Sequence, residues 1–197
     1  MSAYICSRIK TIEQDCVHYL IALLVKLGCS LTASLGLFYF MNFLEKDLEQ
    51  IIFETDNQFL RNRGLKYIDG EKRRQVRIGN YGIADLITIQ RVQGDEFCNP
   101  ILFITVFELK QNIIDYNSLK QVSRYKKGIL EYLKFRNFEQ NVIVRMVLVG
   151  KTVDESDFCY LIDFVEYLTV YTYDYKVDGI NFESHKGYHL TKNGFYK

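Results

Sequence analysis

The chain has 197 residues, of which 48% are hydrophobic and 25% are charged, and its formal net charge is +1. This length and composition predict one soluble globular domain whose core needs neither disulfides nor a structural metal. The small net charge excludes a molecule that attracts nucleic acid through its overall charge, so local basic patches would have to do so. The five cysteines show no CxxC or Cys/His spacing, which predicts no zinc site and fits a reducing cytoplasm.

The first forty residues differ from the rest of the chain. Residues 17–40 form a largely apolar run that Lys26 and several small polar residues interrupt, so it is a marginal membrane span. Three explanations fit this composition: an upstream translation with Met41 as the natural start, a membrane anchor, or an ordinary packed helix. We therefore expect an N-terminal apolar segment, residues 1–40, followed by one domain, residues 41–197.

A helical stripe begins just after Asn42. Its apolar positions, at helical spacing, are Leu44, Leu48, Ile51, Ile52 and Phe59. The stripe stops near Gly64 and predicts one helix that packs against a sheet. Glu45 and Glu49 lie one turn apart on it and face the same way. Because Asn42 precedes Glu45 by three residues, a capping box is an alternative role for Glu45.

Three strands are predicted next, over residues 75–78, 83–91 and 101–110, with a turn at 80–82 and a hairpin loop at 93–96. The hairpin brings Asp85, near the start of the second strand, alongside Glu108, near the end of the third. Strand alternation projects Glu108 and Lys110 together. Because buried charges are costly unless they pair or hold a metal, this cluster is a candidate functional site.

A second amphipathic helix of about five turns is predicted after the third strand. Its apolar positions are Leu119, Val122, Tyr125, Ile129 and Leu133. Residues 142–149 then predict a buried strand, and the intervening helix makes this strand parallel to the third. Beyond Lys151 we expect a short helix over 158–164, a strand over 166–175 and an extra edge element rather than a second domain.

The polar residues of these elements form an ordered set that resembles the PD-(D/E)XK nuclease superfamily. That group includes restriction endonucleases, Holliday-junction resolvases and single-strand or mismatch endonucleases. The set comprises Glu45 and Glu49, Asp85, the triplet Glu108-Leu109-Lys110, and Gln121 with Tyr125, and the resemblance spans residues 42–149. It departs from the family pattern in one respect, since Ala84 stands where the proline of the family's name would precede Asp85.

The resemblance implies an α/β restriction-endonuclease-like fold with an αβββαβ core. Its mixed central sheet would be flanked by helices, and edge elements would follow at the C-terminus. It also implies an endonuclease that uses Mg²⁺ or Mn²⁺ to hydrolyse phosphodiester bonds, in DNA by preference, with RNA left open. The family positions imply a catalytic set of Glu45, Asp85, Glu108, Lys110 and Gln121.

Each of these residues has an implied role. Asp85, Glu108 and the main-chain carbonyl of Leu109 would bind the metal, with Glu45 or Glu49 as a further ligand. Lys110 would orient the attacking water or stabilise the charge of the transition state. Gln121 would orient a water or a phosphate. The alternatives are a salt bridge for Lys110, a turn-end hydrogen bond near Gly82 for Asp85, and an exposed surface role for Gln121.

Nucleic acid is the expected partner. The expected contact residues are Arg73, Arg74, Lys120, Arg124, Tyr125 and Lys127. Solvated basic faces and, for Tyr125, core packing are the alternatives. Because no added element for reading bases is visible, recognition of structure, ends or single strands is favoured over a long sequence. A homodimer, a catalytically inactive nucleic-acid-binding or regulatory protein of the same fold, and a membrane-tethered effector also remain open.

Overall fold

The computed structural model describes residues 44–93, 99–138, 141–154, 161–162, 164–176, 179–185, 189–191 and 194–196. The expectations for residues 1–40 and for Asn42 lie outside these residues, as do most of the 93–96 loop and of the 158–164 helix. Across the part of the chain that is described, no helix combines the length and the apolar character needed to cross a membrane.

Two helices replace the single helix predicted after Asn42. Helix α1 spans Glu45–Glu54 and helix α2 spans Asn57–Asn62. The prediction was wrong at the junction because the Asp56 side chain accepts hydrogen bonds from the backbone of Gln58 (2.9 Å) and Phe59 (3.2 Å), which starts a new helix.

An acidic side chain of the first turn holds the start of α1. The backbone N–H of Leu44 donates to Asp47 at 3.0 Å, and Glu45 is the first helical residue.

The main sheet is mixed and six-stranded, in the order β1-β2-β3-β5-β7-β8. Its strands are β1 (Glu71–Arg77), β2 (Ile83–Val92), β3 (Ile101–Leu109), β5 (Asn141–Gly150), β7 (Leu168–Lys176) and β8 (Gly179–His185). Strand β5 is parallel to β3 and β7, and the other pairs are antiparallel. Short strands β4 (Ile113–Ile114) and β6 (Thr152–Val153) pair with each other, as do β9 (His189–Thr191) and β10 (Gly194–Tyr196).

Helix α3 (Tyr116–Phe135) makes the crossover from β3 to β5. The hairpin, the long helix and the parallel fourth strand of the core are thus confirmed, and so is the αβββαβ order. Strand β8 lies at the edge of the sheet beside β7, which confirms an added edge element at this end of the core.

The sheet separates two hydrophobic clusters. On one face, α3 packs on the strands through Leu119, Val122, Tyr125 and Ile129, and we call this the α3 cluster. On the other face, Leu48 and Ile52 of α1 and Leu60 of α2 pack on Leu86, Phe107 and Leu109, and we call this the α1 cluster. Helices on both faces bury the middle strands, which is why the sequences of β3 and β5 are nearly continuous in apolar residues.

Candidate active site

Asp85 and Glu108 lie on neighbouring strands, as the hairpin predicts. The register pairs Leu86 of β2 with Phe107 of β3, so Asp85 comes level with the end of β3. The backbone N–H of Leu109 donates to the Asp85 carboxylate at 2.8 Å. Asp85 therefore bonds the adjacent strand, next to Glu108, and this contact differs from a turn-end bond near Gly82.

Glu108 is a buried carboxylate with an incomplete set of hydrogen bonds. Its side chain is 1% exposed, and Lys110 Nζ donates to Oε1 at 2.5 Å. The second oxygen, Oε2, is buried and has no hydrogen-bond partner among the described residues. A buried carboxylate oxygen without a partner is costly, so this atom is a position where a cation or a water would be stabilised.

Burial dominates the protonation of both acids. It raises the pKa of Glu108 to about 7; the negative charge of Asp85 adds to the rise, and Lys110 opposes it. Burial also raises the pKa of Asp85 to about 6, and the hydrogen bond from Leu109 opposes that shift. For Lys110, burial lowers the pKa, but the hydrogen bond to Glu108 and the nearby carboxylates outweigh burial, so the pKa is raised. Lys110 therefore stays cationic at neutral pH.

The two helix glutamates both come within electrostatic reach of this cluster. The charge of Glu45 raises the pKa of Asp85, Glu108 and Lys110, whereas Glu49 contributes to the shift of Asp85. Glu45 is half-buried at the start of α1, and Glu49 is 8% exposed. Glu49 also accepts a hydrogen bond from the Gln75 amide on β1, a residue that the sequence reasoning did not select.

Gln121 and Tyr125 form a chain of hydrogen bonds that ends at the first residue of β2. The Gln121 amide donates to the Tyr125 hydroxyl at 2.8 Å, and that hydroxyl donates to the main-chain carbonyl of Ile83 at 2.7 Å. Tyr125 is 2% exposed, and a Cβ atom at Gly82 would come within 2.9 Å of its ring. Tyr125 therefore packs in the core and supports the chain two residues before Asp85, which is a different role from the expected contact with nucleic acid.

A second tyrosine supports the chain just after Lys110. The hydroxyl of Tyr173, on β7, donates to the main-chain carbonyl of Gln111 at 2.7 Å. The backbone N–H of Lys110 itself donates to Val149 at 2.7 Å. Sequence reasoning treated residues 166–175 as a strand of alternating tyrosines, and nothing local in that pattern singles out Tyr173.

The expected basic contacts fall into two groups. Arg73 forms an ion pair with Glu71 at 2.9 Å, and Arg74 lies over the Phe53 ring at 5.1 Å from its centre. The basic residues of α3 lie instead on its exposed face. Lys120, Arg124 and Lys127, with Tyr116, Leu119 and Ser123, line a shallow groove of about 350 Å³.

The donor set at Asp85 and Glu108 fits a hard divalent cation. Mg²⁺ takes oxygen ligands, keeps several waters and binds through one or two carboxylates, rather than through a full protein cage. Within the described residues, no group of three or more His, Cys, Asp or Glu side chains is placed to hold a metal ion. The two carboxylates of Asp85 and Glu108, one with an unpartnered oxygen, match a cation that binds through only one or two carboxylates and keeps several waters.

Comparisons with known proteins give limited matches. No protein-family model matches the chain, and no curated protein matches it. The chain is similar to the crystal structure of a repair endonuclease from Pyrococcus abyssi, with 23% sequence identity and a TM-score of 0.42. The similarity covers 64% of this chain and 45% of that one, so this chain matches less than half of the endonuclease.

Proposed function

We propose that this protein is a metal-dependent endonuclease that hydrolyses phosphodiester bonds in DNA. The observation that carries the proposal is the meeting of Asp85, Glu108 and Lys110, in which the buried Oε2 of Glu108 is left without a partner. Structural ion pairs normally satisfy their buried oxygens, so this arrangement favours a site that completes its contacts with a cation and substrate.

Asp85 and Glu108 would hold Mg²⁺ or Mn²⁺, with the main-chain carbonyl of Leu109 as a third protein oxygen. Such an ion, when bound, polarises the phosphate and makes a water nucleophilic near neutral pH. Of the two helix glutamates, Glu45 is favoured as the further ligand, or as acceptor for the attacking water, because its charge acts on both carboxylates and on Lys110.

Lys110 supplies the positive charge of the site. Glu108 keeps it protonated, and Lys110 is 23% exposed, so its ammonium group can also face a bound phosphate. An ammonium beside the reacting phosphate stabilises the charge that develops in the transition state. Gln121 acts indirectly: it hydrogen-bonds Tyr125, which in turn positions the main chain two residues before Asp85.

Binding of the nucleic-acid backbone is assigned to the exposed face of α3. Lys120, Arg124 and Lys127 can contact phosphates without reading bases, which suits recognition of DNA structure rather than of sequence. Arg73 and Arg74 are retained as weaker candidates, since each already has a partner within the protein.

The test is cleavage of a substrate panel by the full chain in Mg²⁺, in Mn²⁺ and in EDTA. The panel contains single-stranded, duplex, flapped and branched DNA and the matching RNA species. We expect cleavage of at least one DNA only with metal. Binding of nucleic acid without cleavage in either metal would instead favour an inactive protein of the same fold. Preferential cleavage of RNA would show that RNA, rather than DNA, is the substrate.

Three site variants and one control make the test specific. Asp85→Asn and Glu108→Gln keep side-chain shape but remove a metal-binding charge, so cleavage should fall by orders of magnitude and Mn²⁺ binding in calorimetry should weaken. Lys110→Ala should lose cleavage while retaining Mn²⁺ binding. Glu183→Gln, an exposed position on β8, should match the parent. If Asp85→Asn and Glu108→Gln bind Mn²⁺ and cleave as the parent does, the site is structural and the proposal is abandoned.

A further inference from the structure

Strand β1 breaks its regular pattern at Gln75. This residue has a φ of +51°, in the left-handed region that residues other than Gly, Asn and Asp rarely adopt. Its two neighbours then point to opposite faces of the sheet: Arg74 lies over the Phe53 ring of α1, whereas Val76 packs on the α3 cluster. In a regular strand, residues two apart share a face.

The break lies directly across from Asp85. Arg74 pairs with Leu86 and Val76 pairs with Ala84, so Gln75 stands opposite Asp85 between these two pairs. Strand β2 changes face at the same level, because Ala84 belongs to the α3 cluster and Leu86 belongs to the α1 cluster. Both strands thus turn at the point where the site begins.

The turned Gln75 side chain reaches helix α1. Its amide donates to Oε2 of Glu49, a carboxylate that is 8% exposed and whose charge acts on Asp85. Strand β1 also holds the other end of α1, because Lys72 Nζ donates to the main-chain carbonyls of Ile52 (2.8 Å) and Phe53 (3.3 Å). The helix that carries the glutamates is therefore fixed to β1 at two points.

We propose that Gln75 is a positioning residue, which fixes the Glu49 carboxylate beside Asp85 and so holds this turn of α1 against the cation-binding acids. The inference rests on the proposed function. A residue other than glycine keeps a left-handed backbone only where surrounding contacts select that conformation, and such residues cluster at functional sites. Here the selected contact joins β1 to α1, the helix whose Glu45 and Glu49 act on the cluster.

The test uses the different effects that Gln75→Gly has on stability and on the site. Glycine adopts a positive φ without steric cost, so in urea Gln75→Gly should be more stable than Gln75→Met, which loses the same hydrogen bond to Glu49 but keeps the backbone strain. The amide is lost, so the affinity for Mn²⁺ in calorimetry should fall by about tenfold or more, the size typical of losing a hydrogen bond that orients the groups around a bound metal. A purely structural residue would not separate the two readouts in this direction.

Two further variants isolate the hydrogen bond. Gln75→Met keeps the length of the side chain without the donor and should lose Mn²⁺ affinity to a similar degree. Asn137→Gly relieves the same left-handed conformation (φ +48°) just after α3 and should leave Mn²⁺ affinity at the parental value. If Gln75→Gly or Gln75→Met binds Mn²⁺ as tightly as the parent, Gln75 has no positioning role.

A double-variant cycle tests whether Gln75 acts through Glu49. Once Glu49→Ala has removed the carboxylate, adding Gln75→Gly should not weaken Mn²⁺ binding further. Independent, additive losses would overturn the proposal. Failure of the nuclease assignment is distinct: in that case Asp85→Asn binds Mn²⁺ as the parent does, or the parent binds none, and the Gln75 inference is overturned with it. If Asp85→Asn loses Mn²⁺ affinity while Gln75→Gly binds Mn²⁺ as tightly as the parent, only the Gln75 inference is overturned.

Discussion

Glu108 is a buried acid whose two carboxylate oxygens have different surroundings. Lys110 satisfies one of its oxygens, and the other is buried without a partner in the described chain. Incomplete solvation of a buried carboxylate costs free energy, which is why its pKa rises. The same unpartnered oxygen makes Glu108 a better ligand when a cation is present. The buried Oε2 therefore both destabilises the fold and favours cation binding.

The burial of these acids predicts how the stability of the protein depends on pH. The folded-state pKa values of Asp85 (about 6) and Glu108 (about 7) lie above their ordinary values of 3.8 and 4.5. Between about pH 4 and 7 these two groups thus bind more protons in the folded protein than in the unfolded chain, and their contribution to the free energy of unfolding falls as pH rises. Glu108→Gln should flatten this slope and, at pH 8 without metal, stabilise the protein by roughly 1–3 kcal/mol.

The measurement is urea unfolding in EDTA at pH 5 and at pH 8. Glu183→Gln, which replaces an exposed carboxylate, serves as the control and should follow the parent at both pH values. A Glu108→Gln protein that is less stable than the parent at pH 8 would show that the ionised pair with Lys110 stabilises the metal-free fold.

At the scale of elements, α3 depends on its first turn. The Asp115 side chain accepts a hydrogen bond from the backbone N–H of Ser118 at 2.9 Å, and its pKa is lowered because the Ser118 and Asn117 hydrogen bonds outweigh burial. We expect Asp115→Ala to lower the free energy of unfolding at pH 7 by about 1 kcal/mol, while Asp115→Asn, which can still cap, retains most of it. Chemical denaturation of the three proteins measures the difference, and equal losses in Ala and Asn would assign the effect to charge rather than to capping.

The outer face of α3 carries a second prediction. Lys120→Ala with Arg124→Ala should weaken DNA binding and reduce the slope of log affinity against log salt by roughly one unit for each lost phosphate contact. Cleavage at low salt should survive. Lys134→Ala with Arg136→Ala removes two charges from the far end of the same helix and is the matched control. Fluorescence anisotropy across a salt series tests this, and an unchanged slope in the first pair would place DNA elsewhere.

Elements with an apolar pattern were predictable from the sequence, and elements made by distant contacts were not. The strands that carry Asp85 and Glu108 match the strands predicted from hydrophobic periodicity. Helix α3 likewise matches the predicted amphipathic helix. Strand β1 begins at Glu71, earlier than predicted, because residues 71–74 are charged and give no strand pattern of their own. They become a strand by pairing with β2 at the edge of the sheet.

At the scale of the whole molecule, the same distinction explains which site residues could be found. Asp85, Glu108 and Lys110 are polar residues in apolar strands, and that contrast is visible locally. Gln75 and Tyr173 look unexceptional in their own segments, because their partners lie 26 and 62 residues away in the chain. Only the tertiary structure brings these pairs into contact.

The change of composition after residue 40 supports one prediction for the whole chain. The apolar run of residues 17–40 gives way to the amphipathic pattern of α1, which begins at Glu45. Deleting residues 1–40 should therefore leave a folded domain with unchanged cleavage. Circular dichroism during heating and the substrate panel check this, and a truncated protein that aggregates or melts far below the full chain would show that the segment is part of the fold.

The crossover from β3 to β5 through α3 also sets an order of events during synthesis. Asp85, Glu108 and Lys110 are all made before β5, yet β3 needs β5 as its parallel neighbour and Ile83 needs Tyr125. A ribosome takes on the order of 2–8 s to add residues 111–150. During that interval the nascent chain contains the acids and the lysine on the β2–β3 hairpin but lacks β5 beside β3 and Tyr125 behind Ile83. The residues of the candidate site are therefore all synthesised before the strand and helix that support them.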